Sequence, residues 1–234
     1  MHSPVEQFAI KVLFALNLFG FDIQFTNSAL FMVLAVLVSA AFLYFAMAPA
    51  ATVPGRMQGL AEMLYEFVSD MVRSNVGSEG RPYFPFVFTL FVFVLFSNLL
   101  GLIPYSYTTT SQIVVTFAMA MFIFIGVTLI ALFKHGLHFF SFFVPAGAPK
   151  VLIPFLVLIE VISYFVRPVS LSVRLFANML AGHTMLKVFG GLAVMIASAG
   201  GLFVAGSILP LVAIIGLTGL EILVAVLQAY VFTI

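Results

Sequence analysis

Three stretches of this chain carry no charged side chain at all: from Asp22 to Arg56, from Arg81 to Lys134, and from Lys187 to Glu221. Each exceeds the roughly 20 apolar residues that a helix needs to cross about 30 Å of hydrocarbon. Of 234 residues, 64% are hydrophobic and 7% charged, whereas a soluble domain carries about 25% charged residues. Too few charges remain to coat a globule in water, which excludes a soluble domain and a disordered chain. The net charge of +1 gives no field for capturing a polyanion, so nucleic acid is excluded as a partner. With no cysteine, there is no disulfide, thiolate metal site or cysteine nucleophile. The solvent is a lipid bilayer, and the fold class is all-α membrane protein.

The gaps set out a single membrane domain, 1–234, without internal repeats. An N-terminal segment, 1–28, precedes a first span at 29–47, ended by Pro49 and Pro54. The segment is not read as a signal peptide, because it lacks a basic start and Glu6, Lys11 and Asp22 interrupt it. In 55–74, Arg56, Glu62, Glu66, Asp70 and Arg73 alternate with Leu60, Met63, Leu64, Phe67, Val68, Met71 and Val72 at helical spacing. That pattern predicts a helix lying on the membrane surface. The second gap predicts a transmembrane hairpin, 83–133, turning through Pro104-Tyr105-Ser106-Tyr107-Thr108-Thr109-Thr110-Ser111, a polar uncharged loop with tyrosines at the interface. Arg56, Arg73 and Arg81 flank one turnaround and Lys134 and Lys150 another, while the loop between them has no basic residue. Basic connections face the cytoplasm, so the N-terminus is expected on the periplasmic side and the C-terminus in the cytoplasm.

The last part, 151–234, holds the expensive groups. No glycine occurs from Val151 until Gly182, and 151–189 as one helix would be about 58 Å long. Gly190-Gly191 and Gly200-Gly201 are expected to bracket a short connection, followed by a stretch, 202–234, of about 50 Å. Each stretch is either two short helices or one strongly tilted helix. Pro168 and Pro210 permit kinks, but neither sits in a polar turn, and the tilted pair is the more economical reading.

Glu160, Arg167, Arg174, His183, Lys187 and Glu221 all lie in this apolar region. A charge at the bilayer centre costs about 2.5–3.5 kcal/mol on insertion scales, so such groups face a cavity or a partner. At about 100° per residue, Ser170 and Asn178 fall within about 40° of Arg174, as do Arg167, Ser163 and Glu160. That is a polar stripe of nearly five turns, with small Ala177 and Ala181 beside one end. His183 falls about 180° away, with Lys187 one turn beyond it. In the last segment Thr218, Glu221 and Gln228 share a face.

The guanidinium of Arg174 stays protonated and cannot relay protons, but it attracts a carboxylate and repels hydronium. Glu160, His183 and Glu221 can gain and lose protons, and Ser, Asn and Gln side chains can order water between them. Two polar tracks separated by a permanent cation have the form of two partial proton paths that must not connect.

The run Arg167-Pro168-Val169-Ser170-Leu171-Ser172-Val173-Arg174-Leu175-Phe176-Ala177-Asn178-Met179-Leu180-Ala181-Gly182-His183 resembles the signature of the a subunit of rotary, F-type ATP synthases. Glu160 and Ser163 upstream, and Glu221 and Gln228 downstream, fit the same pattern, and Ser97-Asn98-Leu99-Leu100-Gly101-Leu102-Ile103-Pro104 resembles an earlier family motif. Over the first 80 residues the likeness rests on the order of apolar segments. The resemblance implies a proton-translocating stator in the bacterial inner membrane, packed against a ring of c subunits and held by b-type stalk subunits. It implies that Arg174 is the essential arginine facing the ring carboxylate. It assigns Asn98, Asn178, His183, Glu221 and Gln228 to the periplasmic half-channel, and Glu160, Ser163 and Ser170 to the cytoplasmic one. His183 opposite Glu221 is the mitochondrial-like arrangement. Some relatives carry an acid where this chain has Gly101.

Other readings stand beside these. Arg174 can be a structural arginine paired with Glu160 or with a lipid headgroup, and Arg167 and Lys187 can snorkel to the interface. Asn98 is either a helix–helix hydrogen bond or a channel group. His135 and His138 have no nearby carboxylate and are not read as a metal site. No cofactor is expected, and the glycine pairs lack the lysine and spacing of a phosphate loop, so no nucleotide is bound and no catalytic residue is assigned. The alternative from another class is a self-contained secondary transporter with a solute site among broken helices.

Overall fold

The structure is a computed structural model that describes residues 12–18, 21–48, 51–103, 106–144, 152–199 and 206–234. Two short strands, β1 (Val12–Leu18) and β2 (Phe21–Thr26), come first, followed by six α-helices. These are α1 (Asn27–Met47), α2 (Arg56–Val76), α3 (Phe84–Gly101), α4 (Ile113–His135), α5 (Ile153–Ser198) and α6 (Ile208–Thr233). Five helical stretches are long and apolar enough to cross a membrane, all of these except α2. The protein is an all-α membrane protein, and its one addition to the expected plan is the antiparallel pair β1–β2, with Val12 opposite Thr26 and Leu18 opposite Phe21.

The chain forms two compact units: Met1–Ser111 with Asn178–Ile234, and Gln112–Ala177. In the first, α3 packs along α6 and also against α1 and α2. The buried residues of α6, namely Glu221, Ala225, Gln228, Ala229 and Phe232, recur at three- and four-residue steps and make one face. Ala225 and Ala229 are fully buried, and such small residues let helix backbones approach closely in a membrane. Pro210 falls in the first turn of α6, where a missing N–H leaves no bond unmade.

Only part of the expected apolar stripe of α2 is buried. Val68, Met71 and Val72 face the protein, together with Ala61, whereas Leu60, Met63 and Phe67 are exposed. A helix with apolar residues on both the protein side and an outer side fits a bilayer surface. Gln58 anchors its start, its amide bonding the Ala51 carbonyl at 3.0 Å and Glu62 at 2.8 Å. Beyond it, a 3-10 segment, Gly77–Tyr83, turns into α3. The turn requires glycine at Gly77, whose φ is +74°.

The second unit holds α4 and the first part of α5, residues 153–177. Tyr164 joins them: its hydroxyl lies 2.6 Å from that of Thr128, and its ring meets Phe124, Phe139 and Phe143.

Several expectations change. Gly190-Gly191 lie inside α5 and not in a connection, so one helix of 46 residues runs through Pro168 as well. In water each glycine would cost about 1 kcal/mol in a helix interior. In hydrocarbon a broken helix would leave backbone groups unbonded, which costs more. Gly200 and Gly201 lie outside the described residues, as do Pro49, Pro104, Tyr105 and Lys150. Tyr107 is buried against Phe31, with ring centroids 6.1 Å apart.

The close approach of α3 and α6 predicts that Ala225→Leu overpacks their contact, at a cost of about 1–3 kcal/mol. The midpoint of thermal unfolding in detergent should fall by several degrees, whereas exposed Leu223→Ala should leave it within about a degree.

Candidate functional site

Inside the first unit, polar residues from three helices and one loop come together in an otherwise apolar bundle. Glu221, on the inner face of α6, is buried, and neither of its carboxylate oxygens takes a hydrogen bond from a described residue. Its neighbour across the helix pair is Gly182 of α5. A Cβ built there would run into Oε1 and lie 2.9 Å from Cδ, so a larger residue would displace this carboxylate from its present position. One residue further on, His183 is half-buried, and its Nε2 lies 3.0 Å from the Thr108 hydroxyl.

Asn98, fully buried on α3, donates to the Ala225 carbonyl across 3.4 Å, while its own Oδ1 is unpaired. Asn178 on α5 donates to Gln228 Oε1 at 3.2 Å, and Gln228 Nε2 is buried without a partner. Ser97 Oγ and Thr110 Oγ1 are likewise buried and unpaired. All five residues expected on the periplasmic side of the path therefore fall within one compact unit, bonded into two cross-helix pairs and a carboxylate cradle. The expected helix–helix bond of Asn98 is present, and its free carbonyl oxygen leaves the polar role open too.

The remaining expected residues lie on α5 in the second unit. Glu160, Ser163, Ser170 and Arg174 are all exposed. Glu160 faces Arg167 at 4.0 Å, and not Arg174 as the structural alternative would have it. At that distance, with both side chains open, the pair adds little stability. Arg174 makes no hydrogen bond or ion pair with a described residue. Thr218, expected to share the face of Glu221, bonds its own helix at the Ile214 carbonyl and adds nothing to the cluster.

Sequence reasoning missed Thr108, Thr110, Ser97 and Gly182. Thr108 through Ser111 are all buried, although surface exposure is the rule for loops. The available signal was a run of hydroxyl residues without a single charge: each can satisfy local backbone groups. Ser106 Oγ does so at the Leu100 carbonyl, 2.6 Å away, and Ser111 Oγ at that of Thr108, also 2.6 Å.

Residues 29–234 match the family described as the ATP synthase A chain. The chain belongs to that family. It is 54% identical over its whole length to ATP synthase subunit a of Rhodospirillum rubrum, covering 95% of that protein. It is 51% identical over its whole length to the subunit a of Rhizobium rhizogenes, covering 93% of it. With the subunit a of Mesorhizobium japonicum the identity is 54%, over 99% of this chain and 92% of the relative. Family membership and the apolar helices together make it an integral membrane subunit of the F-type complex.

The chain has no native cysteine, so the Gly182–Glu221 approach has a direct check. Gly182→Cys combined with Glu221→Cys should form a disulfide under mild oxidation, because facing Cβ atoms within about 4.5 Å meet its geometry. Gly182→Cys with Leu223→Cys, on the exposed side of α6, should not.

Proposed function

We propose that this chain is the proton-translocating stator of an F-type ATP synthase, and that it works only against a ring of c subunits. The observation that carries the reading is the buried Glu221 carboxylate, unpaired within a cluster containing His183, Asn98, Asn178 and Gln228. Buried polar groups are normally satisfied, and a membrane protein that leaves one unsatisfied keeps it for ion or proton traffic. The helices around it are long and apolar enough to cross a bilayer.

In this reading Glu221, His183 and the amides of Asn98, Asn178 and Gln228 form the half-channel from the periplasm. A proton passing along it neutralises a ring carboxylate, which can then turn into lipid. Arg174 has no partner in its own unit, and its permanent charge favours the ionised ring carboxylate while repelling hydronium. The released proton leaves past Ser170, Ser163 and Glu160 to the cytoplasm. Each charge crossing yields about 2.3 kcal/mol per 100 mV, so several are needed for each ATP. α5 and α6 lie tilted along the ring, b-type stalk subunits hold the stator, and the N-terminus is periplasmic. The chain itself has no catalytic site.

Two substitutions test this in the reconstituted complex. Arg174→Ala should abolish proton-driven ATP synthesis while ring and stator still co-purify; coupled synthesis in that variant would overturn the gate. Glu221→Gln keeps the shape but cannot exchange a proton, and should slow proton flux at least tenfold, the scale of a lost proton-transfer group. Flux at the wild-type rate would remove Glu221 from the path.

A further inference from the structure

We propose that Thr108 is a positioning residue for proton transfer: it holds the His183 ring so that Nε2 is a fixed donor and Nδ1 exchanges the transported proton. The inference rests on the half-channel reading of His183 and adds a loop residue to it.

Thr108 is buried, and its hydroxyl has two neighbours: the Gly101 carbonyl at 3.3 Å and His183 Nε2 at 3.0 Å. A hydroxyl has one hydrogen, and a carbonyl only accepts. Both bonds can exist together in one arrangement, in which Thr108 donates to Gly101 and the Nε2–H of His183 donates to Thr108. The neutral ring then carries its hydrogen on Nε2, leaving Nδ1 to take up the second proton. The same Nε2–H bond survives protonation, so the ring passes a proton without turning.

The backbone is shaped for this contact. A Cβ at Gly101 would lie 2.6 Å from Thr108 Cγ2 and 2.9 Å from its Oγ1, so Thr108 occupies the space that a side chain at 101 would fill. The loop is fixed from both sides. Ser106 Oγ lies 2.6 Å from the Leu100 carbonyl and 2.7 Å from that of Ile103, which share its one hydrogen, and Ser111 Oγ bonds the carbonyl of Thr108 itself at 2.6 Å. Thr108 is thus held by its own backbone, by Gly101 and by burial, which a residue that merely filled space would not need.

Proton-driven ATP synthesis by the complete enzyme in proteoliposomes tests it, with ring content measured alongside. Thr108→Val keeps the shape but not the hydroxyl, and should reduce synthesis about tenfold, the scale of one lost buried hydrogen bond. Thr108→Ser should restore it to within about twofold by the same bond. Wild-type synthesis in Thr108→Val, or an equal loss in Thr108→Ser, overturns the role of the hydroxyl. His183→Ala is the control: if it too synthesises at the wild-type rate, the half-channel reading fails, whereas a defect there with a normal Thr108→Val defeats this inference alone. Nitrogen NMR of labelled histidine in the wild-type complex needs no variant. A neutral His183 with its hydrogen on Nε2 supports the arrangement, and a bare Nε2 overturns it.

Discussion

Inside hydrocarbon a polar group has no water to fall back on, so every hydroxyl and amide must find its partner within the protein. That constraint sorts the polar residues of this chain into two kinds. Ser39, Thr89, Thr116, Thr184, Thr218 and Thr233 turn back onto carbonyls three or four residues earlier in their own helices. They are satisfied locally and impose nothing on their neighbours. Asn98, Thr108 and Asn178 reach across to another element, while Glu221 lies against α5 with no hydrogen bond at all. In the first unit this second kind ties α3, α5 and α6 together and makes up the candidate site, while the Thr128–Tyr164 contact joins α4 and α5 in the second.

The fold was legible to the extent that its elements answer to hydrocarbon. α5 and α6 carry charges and were legible only as long apolar stretches, whereas absence of charge located α1, α3 and α4, because a gap of that length has one structural solution in a bilayer. The Gly190-Gly191 pair misled for the same reason. Gly190-Gly191 read as a break by the rules of water, yet α5 continues through them because hydrocarbon penalises an unbonded backbone more than it penalises glycine. The short strands at Val12–Leu18 and Phe21–Thr26 precede the first span, in a segment too short and too interrupted by charge for the span argument to apply.

The site was legible where it is charged or carries an amide, and illegible where it is built by small residues. Helical spacing could bring Glu221 and Gln228 to one face, and the motif could supply His183 and Asn178. Nothing in the periodicity could indicate that Gly182 exists to admit the Glu221 carboxylate, or that Gly101 admits Thr108. Both facts depend on two elements distant in sequence coming into contact. Gly101 first counted as a departure, since some relatives carry an acid there. In this chain the room it leaves is taken by a hydroxyl from the loop.

The two charged groups central to the proposal are in opposite circumstances, and the contrast bears on the partner. Glu221 is enclosed by its own chain, so its environment is complete before anything else binds. Arg174 lies exposed on α5 with no ion pair or hydrogen bond among the described residues, and Glu160 faces Arg167 instead. A guanidinium cannot shed its proton to escape lipid, and an unpaired one at the bilayer centre costs about 2.5–3.5 kcal/mol on insertion scales. No described residue of the chain supplies its counter-charge. The buried carboxylate is enclosed by its own helices, whereas the exposed cation is left open to whatever lies outside them.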